Sequence, residues 1–263
     1  MDTRQDDFSF PAKILTVRSP AFVEVVSEVS NAAPDPIRFS NRHDDDIARR
    51  LDNALQRHMR TTDSQKPDLP CVIIAGGMSK RFGRAKAEAL LGEKTLTEHM
   101  IDRARTQTNG PIAVNAKHVP KAPEGVSIIT DVLSGEIGPL AGLHAALSWA
   151  KDRGHSSVFT TPVDTPFFPE NLVERLIQSG PCAVAKFNDR LHPLFGIWDV
   201  AHLSVLEDAV RSGVRSMHDW VGLCAANSVE FPDAPKHAFY NINTPAQLEE
   251  AERLLALFSG HDR

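Results

Sequence analysis

From residue 71 onward, short runs of β-branched and other apolar residues alternate with longer segments whose apolar residues have helical spacing. Five runs predict buried strands, at 71–75, 112–116, 126–130, 157–161 and 182–187. Three segments between them predict helices, at 95–107, 139–154 and 169–180, and the last two open with proline. Such alternation is typical of right-handed crossovers, so the sequence predicts an α/β fold with a mostly parallel sheet and helices on both faces.

The first 68 residues do not follow this alternation, and we interpret 1–68 as an N-terminal extension with no assigned chemistry. Its one clear pattern is an amphipathic helix with apolar residues four apart, at Ile47, Leu51, Leu55 and Met59. Segments 12–19 and 22–30 are compatible either with two strands or with poorly ordered apolar stretches. A polar, proline-containing linker then leads into the α/β domain, which we predict over 69–263.

The composition excludes several classes of protein. No run approaches the roughly 18 consecutive apolar residues of a membrane span, and the N-terminus lacks the pattern of a secretory signal, so we expect no membrane association and a cytoplasmic location. The net charge of −5 argues against nucleic acid as the main partner. Cys71, Cys182 and Cys224 have no CxxC spacing and no adjacent histidine pair, so we expect reduced core cysteines.

The segment "VIIAGGMSKRFGRAKAEALLG" at 72–92 combines glycines with positive charge. Gly76 and Gly77 follow a predicted strand, and glycine allows a sharp turn that exposes backbone N–H groups to an anion. Arg81 and Lys86 add the positive charge that a triphosphate needs. The segment is neither a Walker A loop nor a GxGxxG dinucleotide site. A surface turn flanked by solvated basic residues is the alternative interpretation.

Polar residues also follow three of the other predicted strands. Asp164 comes after the strand at 157–161 and is a candidate Mg²⁺ ligand, because such an ion prefers oxygen ligands and the carboxyl ends of parallel strands hold ligands. Capping of the next helix is the alternative. Asp131 and Asn115 likewise stand at strand ends, and Gly138 precedes a helix whose small residues are expected to let a base or ribose approach closely. For Asp131 and Gly138, ordinary turn chemistry is the alternative.

The glycine-rich segment resembles the signature of the nucleotidyltransferases that attach a nucleotide to molybdopterin, LAGGxSxRMGxDKxLL followed by GxxLxEH. The matching residues are Ala75, Gly76, Gly77, Ser79, Arg81, Gly83, Lys86 and Leu91. Phe82 replaces the usual Met, and Ala85 replaces the Asp before the lysine. Further segments are similar to the family in the same order, namely "AVNAK", "GPLAG", "VDTP", "HP" and "NINTPAQL". The resemblance extends from about 71 to 258.

The resemblance implies a Rossmann-like nucleotidyltransferase sheet and a set of site residues. It implies nucleotide binding by Ile74, Ala75, Gly76, Gly77, Lys86, Asn115, Asp131, Gly138 and Asp164. It implies that Arg81, Lys86 and Asp164 are catalytic and that Asp164 is the Mg²⁺ ligand. It assigns His192, Asn241 and Asn243 to the pterin side of the site. Local patterning places His192 before an apolar strand, and it places Asn241 and Asn243 before a helix that Thr244 caps and Pro245 opens.

The implied activity is guanylyl transfer from GTP to molybdopterin or its molybdenum-bearing form, with release of pyrophosphate. Molybdoenzymes or their chaperones are the expected protein partners. Two alternatives stay open. One is a cytidylyltransferase acting on the same pterin or on another phosphorylated acceptor. The other, which the missing acid at Ala85 keeps open, is a non-catalytic protein that binds and delivers nucleotide or cofactor.

Overall fold

The computed structural model describes residues 66–76, 86–117, 123–133, 135 and 137–259, and the backbone of 15–19 and 22–25. The chain divides into two units, Met1–Gln65 and Lys66–Arg263. In the first unit, β1 (Leu15–Ser19) and β2 (Phe22–Val25) pair antiparallel, as one of the two interpretations of this segment expected. The amphipathic helix predicted around Leu51 lies outside the described residues.

The second unit is built on a seven-stranded sheet and a small hairpin. The hairpin consists of β4 (Leu90–Leu91) and β5 (Lys94–Thr95). The sheet contains β3 (Cys71–Ile74), β6 (Ile112–Asn115), β7 (Val126–Ile129), β8 (Ser157–Pro162), β9 (Ala183–Phe187), β10 (Arg190–Asp199) and β11 (Asn227–Glu230). All five strands predicted from the sequence are present, within one residue at each end.

The strand order is β11-β9-β10-β8-β3-β6-β7. Four of the neighbouring pairs are parallel, and β10 is antiparallel to both β8 and β9. The chain passes from β3 through β6 to β7 on one side, and β8 then returns to the other side of β3. The boundary between β8 and β3 is therefore a topological switch point, where open α/β sheets bind ligands at the carboxyl ends of their strands.

The described helices pack on both faces of the sheet. They are α1 (Leu96–Arg105), α2 (Pro139–Asp152), α3 (Leu172–Gln178), α4 (Leu203–Arg211), α5 (Met217–Leu223) and α6 (Pro245–Ser259). Successive residues of a strand point to opposite faces. Accordingly, Cys71 and Ile73 join the core beneath α1 and α3, whereas Val72 and Ile74 join the core beneath α2, α4 and α5. The predicted α/β architecture is confirmed.

Two of the three predicted helices begin within one residue of the predicted position, and the third begins three residues later. Thr95 and Glu98 form a capping box at α1, because each side chain accepts from the other residue's backbone N–H. The third predicted helix begins at Leu172, not at Pro169. The Gln107 side chain accepts from Val173 N–H and donates to the Pro169 carbonyl, so it holds residues 169–171 as a turn.

Cys71, Cys182 and Cys224 are buried and reduced, as expected. Burial raises the pKa of the Cys71 thiol well above its usual range. The sequence did not indicate that Cys182 lies against Cys224 and His202. The Cys182 Sγ is 3.4 Å from His202 Nδ1, and the neighbouring Cys224 thiol lowers the pKa of Cys182.

None of the described helices has both the length and the apolar character that crossing a membrane requires.

Candidate functional site

Four neighbouring parallel strands end at one edge of the sheet, in the order β8, β3, β6 and β7. Each is followed by a residue or loop that the sequence assigned to the site. Asp164 follows β8, Ala75 and Gly76 follow β3, Asn115 ends β6, and Asp131 follows β7. Three spacings between adjacent strands amount to roughly 14 Å, so the edge is wide enough for an extended ligand.

The loop after β3 is fixed at its start by its two neighbours. Ala75 N–H donates to the Asn115 carbonyl (2.9 Å), and Val163 N–H donates to the Ile74 carbonyl (3.1 Å). Gly76 is exposed at the sheet edge. The part of the loop with Gly77 and Arg81, and the side chain of Lys86, lie outside the described residues. Their predicted contacts with phosphate therefore stay predictions.

Asn115 is the most enclosed polar residue among the described members of the predicted set, with 1 % of its surface exposed. Its Nδ2 donates to Asp131 Oδ1 over 3.0 Å, which brings two residues 16 positions apart into one contact. Asp131 itself is exposed. The arrangement presents the carboxylate of Asp131 at the surface of the site and keeps the amide of Asn115 behind it. Direct contact of Asn115 with nucleotide stays a prediction.

Gly142 in α2 serves a different purpose from the expected one. The sequence analysis assigned the small residues of this helix to the approach of a ligand. A Cβ on Gly142 would lie 2.9 Å from Asn115 Oδ1 and 2.9 Å from Ile74 Cγ2. The space beside Gly142 is thus filled by the protein itself, and the glycine lets α2 approach β3 and β6.

Gly138 is the N-cap of α2 and has a φ of 67°, which strongly favours glycine. Pro139 occupies the first helical turn, where its missing N–H would have had no helical partner. In the described part of the chain, no side-chain hydrogen bond caps this helix end. Backbone N–H groups at such an end are suited to an anion or a polar ligand group. The position is therefore compatible with the predicted role of Gly138.

Asp164 lies half-buried in the loop after β8. Its Oδ1 is 3.0 Å from the hydroxyl of Thr165, and that hydroxyl is also 2.6 Å from Asn241 Oδ1. The backbone carbonyl of Asp164 accepts from Ile242 N–H over 2.8 Å. The structure thus brings Asn241, which the sequence assigned to the pterin side, next to the predicted metal ligand.

His192 lies within β10, although the sequence analysis placed it before a strand. Pro193 cannot donate a ladder hydrogen bond, and the register between β10 and β9 shifts between His192 and Gly196. The imidazole stacks on Phe239 with ring centroids 4.4 Å apart. Desolvation by burial, and secondarily the charge of Arg190, lower the pKa of His192 to about 4. Burial therefore favours the neutral form of this ring at neutral pH.

Asn243 is exposed and stands at the start of α6. Its backbone N–H donates to Gln247 Oε1 over 2.8 Å, and the Thr244 hydroxyl accepts from Gln247 N–H. These contacts confirm that Thr244 caps the helix that Pro245 opens. Much of the "NINTP" pattern is therefore explained by helix capping, and a pterin contact of Asn243 stays a prediction.

The oxygen ligands at the sheet edge suit a hard divalent cation. Among the described residues, no three His, Cys, Asp or Glu side chains form a cluster that encloses a metal. Mg²⁺ does not need such a cluster, because it is usually held by one or two carboxylates together with substrate phosphates and water. Asp164, a carboxylate beside the glycine loop, is of this kind.

A groove of about 850 Å³ lies elsewhere, between α1, α3 and the segment after β11. None of the residues predicted to bind nucleotide or pterin lines it. Its arginines are engaged in the protein. Arg103 pairs with Glu170 at 3.3 Å, and Arg175 lies over the Phe231 ring at 4.4 Å. We therefore assign the candidate site to the sheet edge and not to this groove.

Comparison with known proteins agrees with the geometry. A family model described as the MobA-like NTP transferase domain matches residues 71–225, which is more than half of the chain. The chain belongs to this family. The prediction of a nucleotidyltransferase is confirmed, and enzymes of this kind generally use a divalent metal ion.

Two curated relatives are similar over most of their length. The molybdenum cofactor guanylyltransferase of Rhizobium meliloti (strain 1021) is 39 % identical over 199 residues, which cover 71 % of this chain and 91 % of that protein. The protein of the same name from Rhizobium leguminosarum bv. trifolii (strain WSM2304) is 40 % identical over 201 residues, which cover 72 % of this chain and 94 % of that protein.

Solved structures share the fold. Molybdopterin-guanine dinucleotide biosynthesis protein A from Archaeoglobus fulgidus superimposes with a TM-score of 0.56 at 26 % identity, covering 72 % of this chain and 99 % of that one. The 2-C-methyl-D-erythritol 4-phosphate cytidylyltransferase of Thermus thermophilus has a TM-score of 0.52 at 19 % identity, and the match covers 70 % of this chain and 98 % of that one. The second likeness concerns the fold alone.

Proposed function

We propose that this protein transfers GMP from GTP to molybdopterin, or to its molybdenum-bearing form, and releases pyrophosphate. One observation carries the proposal. Relatives named molybdenum cofactor guanylyltransferase are 39 % and 40 % identical to this chain and are covered over 91 % and 94 % of their lengths. The polar residues at the carboxyl ends of β6, β7 and β8 support it.

In the proposed reaction, a terminal phosphate oxygen of molybdopterin attacks the α-phosphorus of GTP. The bond between the α-phosphorus and the bridging oxygen to the β-phosphate breaks, and pyrophosphate leaves with that oxygen. The attacking phosphate is already ionised at neutral pH, so the reaction requires no general base from the protein. Catalysis then consists mainly of positioning and charge neutralisation.

The proposed roles follow the resemblance to the family signature, and the strand-end positions of the described residues support them. The backbone N–H groups of Gly76 and Gly77 and the side chains of Arg81 and Lys86 hold the β- and γ-phosphates. Asp131 and Gly138 bind the nucleoside part, and Asn115 supports Asp131 through the 3.0 Å hydrogen bond.

Asp164 holds Mg²⁺ in this proposal. When bound, the ion supplies positive charge that neutralises the α-phosphate and the departing pyrophosphate. His192, Asn241 and Asn243 stand on the pterin side. His192 would contribute a hydrogen bond or its ring face, because burial lowers its pKa and favours the neutral form at neutral pH.

The test is incubation with molybdopterin, Mg²⁺ and each of the four nucleoside triphosphates, with pyrophosphate release as the readout. Release with GTP alone, abolished by EDTA and restored by excess Mg²⁺, is the expected result. Release with CTP alone would support the cytidylyltransferase alternative. Nucleotide binding without any release would support the delivery alternative. The expected cytoplasmic location and the expected handover to molybdoenzymes or their chaperones stay predictions.

A further inference from the structure

The hydroxyl of Thr165 is enclosed between two polar side chains from distant parts of the chain. Thr165 is fully buried, with 0 % of its surface exposed. Its Oγ1 lies 3.0 Å from Asp164 Oδ1 and 2.6 Å from Asn241 Oδ1, a residue 76 positions away. The sequence analysis gave Thr165 no role. A threonine beside the metal-ligand aspartate is not distinctive until the fold shows what its hydroxyl touches.

The two contacts place a constraint on the hydrogen atoms. A hydroxyl has one hydrogen, and an ionised carboxylate only accepts. The hydroxyl therefore cannot donate both to Asp164 and to an oxygen of Asn241. Both contacts are satisfied when the Asn241 amide presents its NH₂ group, since the O and N assignment of an amide follows from its hydrogen bonds. Asn241 then donates to Thr165, and Thr165 donates to the Asp164 carboxylate.

A backbone contact anchors the same pair of segments. Ile242 N–H donates to the Asp164 carbonyl over 2.8 Å, and Ile242 is fully buried in the core. The segment before α6 is therefore attached to the loop after β8 by its backbone at Ile242 and by its side chain at Asn241. This attachment gives Asn241 a fixed position from which to orient Thr165.

We infer that Thr165 and Asn241 are positioning residues that orient the carboxylate of Asp164 for metal binding. This inference rests on the proposed role of Asp164 as the Mg²⁺ ligand. A carboxylate on a loop has several rotamers, and a hydrogen bond from a buried hydroxyl selects one of them. Partners that orient a metal ligand in this way typically change metal affinity by about 10- to 100-fold when they are removed.

The experiment measures Mn²⁺ binding by electron paramagnetic resonance, with the full chain in complex with guanosine 5′-(α,β-methylene)triphosphate. Thr165→Val removes the hydroxyl and nearly preserves the shape, and we expect it to weaken Mn²⁺ binding by about tenfold. Thr165→Ser keeps the hydroxyl and is expected to restore the wild-type affinity. Binding of the nucleotide analogue without metal is expected to be unchanged in both variants.

Thr161 provides a matched control on the preceding strand. It is also fully buried, and its hydroxyl has no hydrogen-bond partner among the described residues. Thr161→Val makes the same chemical change without touching Asp164, so we expect unchanged Mn²⁺ affinity. An equal loss in both valine variants would mean that any buried hydroxyl matters for packing, and it would overturn the inference.

Asn241 is tested by a double-mutant cycle. Asn241→Ala is expected to weaken Mn²⁺ binding. The double variant Thr165→Val/Asn241→Ala is expected to bind Mn²⁺ no more weakly than Thr165→Val alone, because both changes break the same relay, the hydrogen-bond chain from Asn241 through Thr165 to Asp164. Strictly additive losses would contradict the relay.

Asp164→Asn distinguishes a failure of the positioning inference from a failure of the proposed metal site. If it abolishes high-affinity Mn²⁺ binding while Thr165→Val does not change it, the positioning inference fails and the metal assignment stands. If Asp164→Asn leaves Mn²⁺ affinity unchanged, the metal assignment fails, and the inference fails with it. Loss in Asp164→Asn and in Thr165→Val, with Thr165→Ser and Thr161→Val at the wild-type level, supports both.

Discussion

At the scale of single residues, Ala85 is the position where this chain departs most from the family pattern, because a methyl group replaces a carboxylate before Lys86. A carboxylate there would orient the lysine or a phosphate-bound water. We expect Ala85→Asp to raise kcat/KM for GTP by about tenfold from a measurable wild-type rate, which corresponds to about 1.4 kcal/mol from one charged hydrogen bond.

Steady-state kinetics of pyrophosphate release check this prediction, with Ala85→Asn as the matched control of similar size and no charge. A wild-type rate below detection that becomes substantial only in Ala85→Asp would contradict our view of the natural protein as a working transferase. Equal rates in all three proteins would mean that other groups position Lys86.

His192 makes the stability of the protein depend on pH in a defined window. Burial lowers its pKa from about 6.5 to about 4 in the folded chain, so the unfolded chain binds more protons between these values. The stability that neutral His192 contributes is therefore complete above pH 6.5 and is lost as the pH falls towards 4. We expect His192→Gln to flatten the decrease in unfolding free energy over this range.

Urea unfolding at several pH values measures this effect. The comparison is between the slopes of wild type and variant, not between their absolute stabilities, because the substitution also removes the stacking on Phe239. Parallel curves from pH 6.5 to 4 would show that His192 titrates alike in the folded and unfolded chain.

The positions of the candidate residues were predictable where they depend on local chemistry, whereas their contacts with distant partners were not. The placement of Asp164, Asp131 and Asn115 at strand ends followed from the strand pattern. The hydrogen bond between Asn115 and Asp131 follows from the adjacency of β6 and β7, which local patterning does not encode. Thr165 was missed for the same reason, since its partner Asn241 comes from the far end of the chain.

At the scale of elements, apolar periodicity located five strands of the sheet, β3 and β6 to β9, and three helices between them, but not the short hairpin of β4 and β5. It did not indicate that β10 runs antiparallel between β8 and β9, because strand direction depends on tertiary pairing. The predicted start of α3 was three residues too early, because the turn at 169–171 is held by the side chain of Gln107, which lies in the turn after α1. The sequence pattern thus indicated most of the elements, but it did not indicate how they pair and contact one another.

The close approach of α2 to the sheet depends on Gly142. A Cβ at this position would lie 2.9 Å from both Asn115 Oδ1 and Ile74 Cγ2, closer than side-chain contacts allow. We expect Gly142→Ala to lower the free energy of unfolding by about 1–3 kcal/mol through overpacking. It is also expected to weaken nucleotide binding, because the displaced Asn115 supports Asp131.

Urea unfolding and nucleotide titration test this prediction together. Gly222→Ala in α5 is the matched control, because a Cβ there meets no atom within 4 Å. Alanine has the higher helix propensity, so this control is expected to be as stable as the wild type or more stable by up to about 1 kcal/mol. Similar destabilisation in the two variants would contradict the close-packing argument.

At the scale of the whole molecule, the sheet and the proposed site belong to the unit Lys66–Arg263, and the family model matches only within it. The predicted boundary at residue 68 is three residues further along. Residues 67–69 belong with the second unit, because they contact the loop between α1 and β6. Asn109 N–H donates to the Pro67 carbonyl, Leu69 N–H donates to the Thr108 hydroxyl, and Leu69 is buried.

Two truncations therefore distinguish the extension from the domain. Deletion of residues 1–65 is expected to leave a folded protein with wild-type thermal stability and pyrophosphate release, because it retains every one of these contacts. Deletion of residues 1–70 also removes Leu69 and the Pro70 carbonyl that accepts from Phe159 N–H, and we expect it to cost about 2–5 kcal/mol of stability. Calorimetry measures the stability of each truncated protein, and the transfer assay measures its activity.

A 1–65 deletion that folds but is inactive would show that the extension completes the site. Equal stability of the two truncated proteins would show that residues 67–70 do not belong to the core.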